Sequence, residues 1–324
     1  MVHPDERAAV SIAEPRRIGR LGRAARVAAS AIVVARPVTS SYLDRLAARS
    51  TAVGTVLCVG LDPDVTSLPP GFTPDLAGLE GFTMLLIEAT VASAAAFKAN
   101  LAFYESHGSA GLAVLERIRA RIPSDVPFIA DAKRGDIGST AAQHAIALFD
   151  RLGADAVTVH PYTGSEGLAP LLERADRFAY VLCRTSNPGA GELQNLELAA
   201  GPSTHDPAEP MHLRVARRVA GWGPGDTVGL VVGATAPAEL RSIRGAAPGL
   251  PFLVPGVGAQ GGEIEPVLVD GPVCAGPAAA RPGRGLLVNV SRGIASVASE
   301  RSEDPGEALA KAAREWASKL PVLP

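Results

Sequence analysis

The chain has 324 residues, of which 47% are hydrophobic and 20% are charged, and its formal net charge is −2. That length suffices for one large domain of about 250 residues with extensions. The balanced charge gives no indication of nucleic acid as a partner, and no run of about 18 uncharged apolar residues predicts a membrane span. Three widely spaced cysteines favour free thiols in a reducing compartment, so we expect a cytoplasmic protein. The six histidines lack the spacing of metal ligands, and we expect no metal.

Residues 1–37 differ in composition from the rest of the chain. They contain seven arginines, no lysine and three acidic residues, with little periodicity. A targeting peptide is one interpretation, but the acids and the lack of an apolar core of about 7–15 residues disfavour it. We therefore predict a disordered extension over 1–37 and a folded domain over 38–324.

From Thr55 onward, apolar runs alternate with segments of helical periodicity, such as Ser109–Arg121 and Thr140–Leu152. Strands that alternate with helices predict a parallel sheet, and eight repeats favour a closed (β/α)8 barrel, an α/β fold, over an open sheet. No Gly-x-Gly-x-x-Gly motif follows the first run, as a dinucleotide-binding open sheet would require. The eight predicted strands are Val56–Gly60, Ala95–Ala99, Pro127–Asp131, Ala156–His160, Ala179–Cys183, Val228–Val232, Phe252–Pro255 and Gly285–Val288.

The third strand leads into the sequence FIADAKRGDIGSTA, residues 128–141. Because strand side chains alternate between faces, Asp131 and Lys133 are predicted to project to the same side and to touch. Catalytic residues of parallel α/β barrels lie at this end of the strands. We expect a turn at Gly135 and a helix cap from Ser139 or Thr140. The simpler alternative is a surface ion pair at a strand end.

Lysine usage argues for catalysis. Among 31 basic residues only four are lysine. Arginine does not give up its proton in proteins, whereas a buried lysine has a pKa that its surroundings can shift. Lys311 and Lys319 fall in a polar C-terminal helix, but Lys98 and Lys133 end apolar runs, which makes them the two catalytic candidates.

Two glycine-rich turns follow the seventh and eighth strands, at residues 255–262 and 290–293. Exposed backbone N–H groups in such turns, with a helix predicted to begin near Gly261, indicate a phosphate site. Gln260 and Arg292 are the predicted side-chain donors of this site. Either turn alone is more often only a tight turn, but both together are typical of phosphate-binding barrels.

Two further segments stand out by length and composition. The long Gly-, Pro-, Asn- and Ser-rich stretch Arg184–Asp206 is predicted to be a lid that closes over ligand. The Gly-, Pro- and Ala-rich stretch Gly271–Gly285 is predicted to be an inert insertion.

The motifs at 60–63 (GLDP), 97–100 (FKAN), 131–136 (DAKRGD), 255–262 (PGVGAQGG) and 290–293 (VSRG) together resemble the orotidine 5'-phosphate decarboxylase family, in its longer second subgroup. The likeness covers about Leu43 to Ala317. It implies a cofactor-free enzyme of pyrimidine synthesis that converts orotidine 5'-phosphate to UMP and carbon dioxide. It also implies a homodimer with shared active sites.

The resemblance also implies roles for individual residues. Lys98, Asp131 and Lys133 of one subunit and Asp136 of its partner would form an alternating chain of charges. The substrate-binding residues implied are Asp62 at the ribose, Thr140 from the partner near the ribose or phosphate, Ser186 at the pyrimidine, and Gln260, Arg292, Gly258 and Gly293 at the phosphate.

Decarboxylation would leave a carbanion on the pyrimidine ring, in an orbital that cannot delocalise into the ring. A cation must stabilise it and then protonate it, and we favour Lys133 as proton donor, with Lys98 as the alternative. Two other functions stay open. A related phosphosugar decarboxylase would use magnesium near the end of strand two, where this chain has Lys98. A catalytically silent nucleotide-binding barrel would be expected to lack a member of the charge network.

Overall fold

A computed structural model describes residues 40–202, 206–258, 260–299 and 304–324. The extension predicted over 1–37 lies outside these ranges. Eight parallel strands form a closed barrel, and two further short strands form a separate antiparallel pair. The predicted barrel is confirmed, and each predicted strand end lies within three residues of the observed one. The strands are β1 Leu57–Gly60, β2 Ala96–Asn100, β3 Phe128–Arg134, β4 Ala156–Val159, β5 Phe178–Arg184, β6 Glu197–Leu198, β7 Glu209–Pro210, β8 Val228–Val232, β9 Phe252–Pro255 and β10 Leu286–Val290. The order around the barrel is β1-β2-β3-β4-β5-β8-β9-β10, and β6 pairs with β7 outside it.

Helices follow the barrel strands and form an outer layer. A π-helical turn, Ile146–Arg151, extends α5. The helices are α1 Tyr42–Val53, α2 Leu76–Thr90, α3 Ala102–Glu105, α4 Gly108–Arg121, α5 Gly138–Ala145, α6 Gly164–Leu172, α7 Gly191–Gln194, α8 Met211–Val219, α9 Pro237–Ala246, α10 Ile264–Asp270, α11 Arg292–Ala295 and α12 Pro305–Lys319.

One helical segment, Leu76–Ser93, is long and apolar enough to cross a membrane by length and composition, with a mean hydropathy of 1.3. It consists of α2 and the short 3-10 turn that follows. In the structure α2 packs against α4 and α12, and Leu79, Phe82 and Leu86 are buried in the core. We therefore assign this segment to the helical layer of the barrel.

The barrel interior is filled from below by α1. Ser41 and Asp44 form a capping box that begins this helix, and Tyr42 points into the barrel. The Tyr42 ring stacks on Phe178 with centroids 4.9 Å apart, and its hydroxyl lies 3.2 Å from that of Tyr180. Alternate residues of the strands complete this apolar layer, which leaves the opposite end of the barrel for polar side chains.

The two ends of the domain meet at this lower face. Thr55 forms an isolated antiparallel bridge with Pro321, and the Val56 N–H donates to the Leu320 carbonyl at 3.0 Å. The predicted insertion Gly271–Gly285 packs here too, since Val273 and Ala278 belong to the same apolar cluster as α1. The insertion therefore has a packing role at the base of the barrel.

Asp155, which directly precedes β4, is a buried carboxylate at the lower end of the strands. It accepts from the Phe128 N–H at 3.0 Å and pairs with three guanidinium groups. Those groups are Arg45 at 3.0 Å, Arg119 at 3.4 Å and Arg177 at 3.6 Å. One anion thus ties α1, α4 and the loop before β5 to the barrel.

We expect Asp155→Ala to lower the free energy of unfolding by about 3–5 kcal/mol, because it removes a buried carboxylate that three largely buried guanidinium groups share. Asp125→Ala is the matched control, since Asp125 is 67% exposed and pairs with Arg49 at the surface. That control is expected to cost at most about 1 kcal/mol. Urea unfolding followed by circular dichroism measures both changes, and equal losses would contradict the role assigned to Asp155.

Candidate active site

The upper end of the barrel carries a row of alternating charges centred on Asp131. Its Oδ2 accepts from Lys98 Nζ at 2.8 Å and its Oδ1 accepts from Lys133 Nζ at 2.7 Å. Lys98 lies in β2 with a side chain only 5% exposed, whereas the Lys133 side chain is 47% exposed. The predicted contact between Asp131 and Lys133 is confirmed, and one carboxylate bridges a buried ammonium and an accessible one.

A bulge in β3 sets the position of Lys133. The pairing between β3 and β4 shifts register between Ala130 and Arg134, and Lys133 has a φ of +48°. A residue with a side chain rarely adopts this left-handed conformation, which costs about 1–3 kcal/mol. Bulges of this kind redirect a side chain next to a site. The strand therefore ends three residues later than predicted, and the left-handed residue is Lys133, not Gly135.

Thr158 of β4 fills the opening that the bulge leaves. Its hydroxyl accepts from the Lys133 N–H at 3.0 Å and donates to Asp131 Oδ1 at 2.8 Å. One hydroxyl thereby holds both the strained backbone of Lys133 and the carboxylate of Asp131.

Gly135 has a different role from the predicted turn. A Cβ at this position would lie 2.4 Å from the ring of His160, and His160 Nε2 lies 3.2 Å from the Gly135 carbonyl oxygen. The missing side chain thus makes room for the histidine.

The helix cap predicted from Ser139 or Thr140 is wrong, because α5 begins directly after Ile137 without a side-chain cap.

Asp62, in the loop after β1, extends the charge row on the other side of Lys98. Its Oδ1 accepts from the Asn100 N–H at 2.7 Å, and its Oδ2 accepts from the Ser291 hydroxyl at 2.9 Å. Lys98 Nζ lies 3.8 Å from Asp62 Oδ2. Asn289 Nδ2 donates to the Ser291 hydroxyl at 3.3 Å, so residues of β10 and its loop orient the Asp62 carboxylate.

The charges of the row stabilise one another. Burial disfavours the ionised form of Asp131, but the ammonium groups of Lys98 and Lys133 outweigh it and hold the pKa of Asp131 well below its usual range. Burial alone would lower the pKa of Lys98, yet Asp131 and then Asp62 raise that pKa above its usual range. Asp131 is therefore an anion and Lys98 a cation throughout the neutral pH range.

Asp136 and Thr140 do not join this row within the chain. The Asp136 carboxylate accepts from the adjacent Ile137 N–H at 2.8 Å, and among the described residues it forms no ion pair with Lys98 or Lys133. Thr140 is exposed on the first turns of α5. Two large apolar side chains flank this region, Ile137 at 60% and Tyr162 at 86% exposure.

Ser186 and Gln260 come together at the far side of the rim. A Cβ on Gly256 would lie 3.1 Å from Gln260 Oε1 and 3.2 Å from Ser186 Cβ. Gln194 of α7 shapes the loop before Ser186, because it accepts from the Thr185 N–H at 2.9 Å and donates to the Thr185 hydroxyl at 2.8 Å. The predicted pyrimidine and phosphate contacts are thus neighbours.

The predicted lid segment Arg184–Asp206 contains α7 and β6 and is fastened at its far end. Asp206 pairs with Arg218 at 2.6 Å, and the nearby Glu209 pairs with Arg214 at 2.9 Å and Arg217 at 2.8 Å. The three arginines all belong to α8. Closure of the segment stays a prediction.

The two glycine-rich turns lie at the ends of β9 and β10. Gly258 has a φ of +76°, and the Gly261 N–H donates to the Gly258 carbonyl at 2.7 Å. Arg292 is the first residue of α11 and is exposed, with Gly293 directly after it. The helix predicted to begin near Gly261 begins at Ile264, after Glu263. Its positive N-terminal end is therefore not at Gly261, as had been predicted.

A closed parallel barrel with lysines, carboxylates and glycine turns at the carboxyl ends of its strands defines a (β/α)8 barrel enzyme. The sequence profile of the orotidine 5'-phosphate decarboxylase / HUMPS family matches residues 55–312. The chain belongs to this family, which confirms the resemblance found in the sequence at the level of the family.

Individual proteins agree with the profile. A protein of Herpetosiphon aurantiacus named orotidine 5'-phosphate decarboxylase is 45% identical over 282 residues, which are 87% of this chain and 97% of that protein. The solved structure of Leishmania donovani OMP decarboxylase is 37% identical with a TM-score of 0.70, covering 86% of this chain and 97% of that one. The solved structure of Leishmania donovani UMP synthase is 39% identical with a TM-score of 0.72. The match covers 87% of this chain but only 56% of the longer UMP synthase chain.

Sequence reasoning missed three residues that shape the site. Thr158 lies two residues after Ala156, on the interior face of β4, and this spacing was the only available signal. Ser291 stands beside Arg292 in the motif VSRG at 290–293, but nothing in the sequence indicates a contact with Asp62. Gln194 falls within the predicted lid, where no periodicity singles it out.

The low pKa of Asp131 predicts how acid affects stability. Because this pKa is below the value of about 3.9 in the unfolded chain, the folded state binds fewer protons and is favoured at higher pH. The stabilising effect of the carboxylate should be fully present above about pH 5 and should decline as the pH falls below about 4. We expect Asp131→Asn to cost about 3 kcal/mol at pH 7 and progressively less in acid. Urea unfolding of both proteins across this range measures the difference, and a gap that widens on acidification would contradict the assignment.

Proposed function

We propose that the chain decarboxylates orotidine 5'-phosphate to UMP and carbon dioxide in pyrimidine biosynthesis, without a metal or cofactor. The single observation that carries this proposal is the Asp131 carboxylate held between the ammonium groups of Lys98 and Lys133 at the barrel rim. In the proposed complex the Lys133 ammonium group would lie beside the ring carbon on which the negative charge develops.

The reaction breaks the bond between the ring carbon and its carboxylate, and the electron pair stays on the ring carbon. The carbanion orbital lies in the plane of the ring and is not delocalised, so stabilisation must come from a nearby charge. Two unit charges about 4 Å apart interact by about 4 kcal/mol at an effective dielectric constant near 20. A preorganised cation supplies this without rearrangement during the reaction.

Lys133 is the proposed proton donor. Its side chain is half exposed and contacts the network through one carboxylate oxygen, so it retains ammonium protons that face the open rim. Lys98 is buried between Asp131 and Asp62, which suits it to hold the carboxylates in place. Lys133 gives one proton to the ring carbon to form UMP and regains a proton from solvent.

Substrate binding uses the rest of the rim. Asp62 is the proposed ribose ligand and Ser186 the proposed pyrimidine contact. The proposed phosphate ligands are Gln260, Arg292, Gly258 and Gly293. Phosphate binding far from the reacting carbon would align the ring and close the Arg184–Asp206 segment, which applies remote binding energy to the transition state.

The proposed active form is a homodimer in which Asp136 and Thr140 reach the partner's site. Support comes from their position outside the charge row of their own chain and from the adjacent exposed side chains of Ile137 and Tyr162. Contiguous exposed apolar surface marks protein interfaces, and these two side chains follow β3 and β4, which are neighbouring strands of the barrel. The free thiols Cys58, Cys183 and Cys274 agree with the proposed cytoplasmic location.

Two alternative functions are disfavoured by specific residues. A magnesium-dependent phosphosugar decarboxylase would need an acid at the end of β2, where Lys98 instead places a buried cation. A silent nucleotide-binding barrel would not need the complete set of Lys98, Asp131 and Lys133.

The deciding assay follows the absorbance of orotidine 5'-phosphate with excess chelator: turnover to UMP supports the proposal. Absence of turnover with UMP still raising the melting temperature would favour the silent barrel.

We expect Lys133→Ala to abolish measurable turnover while UMP affinity changes little, because the phosphate and ribose ligands are intact. Lys311→Ala on the exposed face of α12 is the control and should keep wild-type activity. Steady-state kinetics and calorimetric titration with UMP make the comparison. Substantial activity in the Lys133 variant would overturn its role as proton donor.

Mixed dimers test whether Asp136 acts across an interface. Lys133→Ala and Asp136→Ala subunits with different affinity tags are co-expressed, and the dimers that carry both tags are isolated. If Asp136 serves the partner's site, each mixed dimer contains one native site and should show about half the activity of a wild-type dimer. If it serves its own chain, both sites are defective and the mixed dimer should be as inactive as either parent.

A further inference from the structure

A single indole on the C-terminal helix touches both glycine-rich turns. A Cβ on Gly258 would lie 2.7 Å from Cη2 and 3.0 Å from Cζ2 of Trp316. A Cβ on Gly293 would lie 3.1 Å from Cζ2 and 3.2 Å from Cε2 of the same ring. The turn after β9 and the turn after β10 therefore both pack against the same edge of one flat, rigid side chain, with Cζ2 close to both glycines.

The contact with Gly293 is also polar. Trp316 Nε1 donates to the Gly293 carbonyl oxygen at 3.0 Å. Since Gly293 directly follows Arg292 at the start of α11, this bond fixes the backbone that carries the arginine. The indole thus contributes both a packing surface and a directed hydrogen bond.

Helix α12 holds the indole firmly. Asp304 caps the helix by accepting from the Glu307 N–H at 3.0 Å, and Leu309 and Ala313 are buried in the core. The Lys319 ammonium lies 5.1 Å from the centroid of the Trp316 ring. The helix also packs along α2, so the ring is mounted on a well-anchored element.

We propose that Trp316 is a positioning residue of the phosphate site, which sets the separation and orientation of the two turns. Gly258, with its left-handed backbone, and Gly293 have no side chains of their own to restrict their turns. A phosphate site made of backbone N–H groups binds its ligand tightly only if those groups are already in position, because ordering them on binding costs free energy. The indole lies behind both turns and supplies that order. This inference rests on the proposed function, since it assumes a phosphorylated ligand.

The test compares Trp316→Phe and Trp316→Leu with the wild type. UMP and uridine are used as competitive inhibitors of orotidine 5'-phosphate turnover, and the ratio of their inhibition constants isolates the contribution of the phosphate. Trp316→Phe, which loses the hydrogen bond but keeps a ring, should reduce this ratio about fivefold. Trp316→Leu should reduce it about tenfold or more, because the flat support is lost as well. Uridine inhibition should not change, and KM should rise more than kcat falls.

The control is Trp222→Phe, at the chain's other tryptophan, which packs partly buried against the core after α8. It should lower the melting temperature without changing the UMP to uridine ratio. If the Trp316 variants behave in the same way, with lower melting temperature and an unchanged ratio, the indole has only a packing role and the inference is wrong. Should the leucine variant fail to fold, the phenylalanine variant decides. A wild type without turnover would instead refute the proposed function.

Discussion

The site depends on one shared carboxylate. Asp131 gives one oxygen to Lys98 and the other to Lys133, so the two ammonium groups are held apart by their common anion. Each lysine would repel the other if the carboxylate were removed, and the more distant Asp62 would be the one anion paired with the buried Lys98 among the described residues. The buried Lys98 holds the Asp131 carboxylate in position, and that carboxylate in turn orients the accessible Lys133 side chain. The position of the Lys133 ammonium group therefore depends on the carboxylate that it shares with Lys98.

The barrel supplies what this carboxylate requires. The strands deliver Lys98 from β2, Asp131 from β3 and Thr158 from β4 side by side, since neighbouring strands of a closed parallel barrel end at one rim. An apolar layer below, in which α1 stacks Tyr42 on Phe178, excludes water from the base. The strain at Lys133 is sustained by this surrounding structure, with the Thr158 hydroxyl bound to its N–H.

Much of this arrangement follows from the sequence because it repeats a simple pattern. Eight apolar runs predicted eight strands, and the two-residue spacing of Asp131 and Lys133 predicted their contact. The left-handed conformation of Lys133 was not predicted, because a lysine in a sequence does not indicate one. The nearby Gly135 suggested a turn at its own position, whereas the irregularity is the bulge in β3 that precedes it. Thr158, Ser291 and Trp316 escaped because their partners are distant in sequence and are set by tertiary packing. The partnership of Asp136 with a second subunit stays a prediction, since it concerns contacts beyond one chain.

The position of Trp316 near the end of the chain has a consequence for biosynthesis. A ribosome releases β1 first, but β1 lacks its neighbour β10 until almost the whole domain has been made. The bridge from Thr55 to Pro321 and the indole behind the glycine turns come later still. A nascent chain can thus pair β2 with β3 while the barrel is still open along one seam, whereas Asp62 gains its Ser291 partner only after β10 has been made. β10 and α12 must therefore both be synthesised before the barrel closes and the indole reaches the glycine turns.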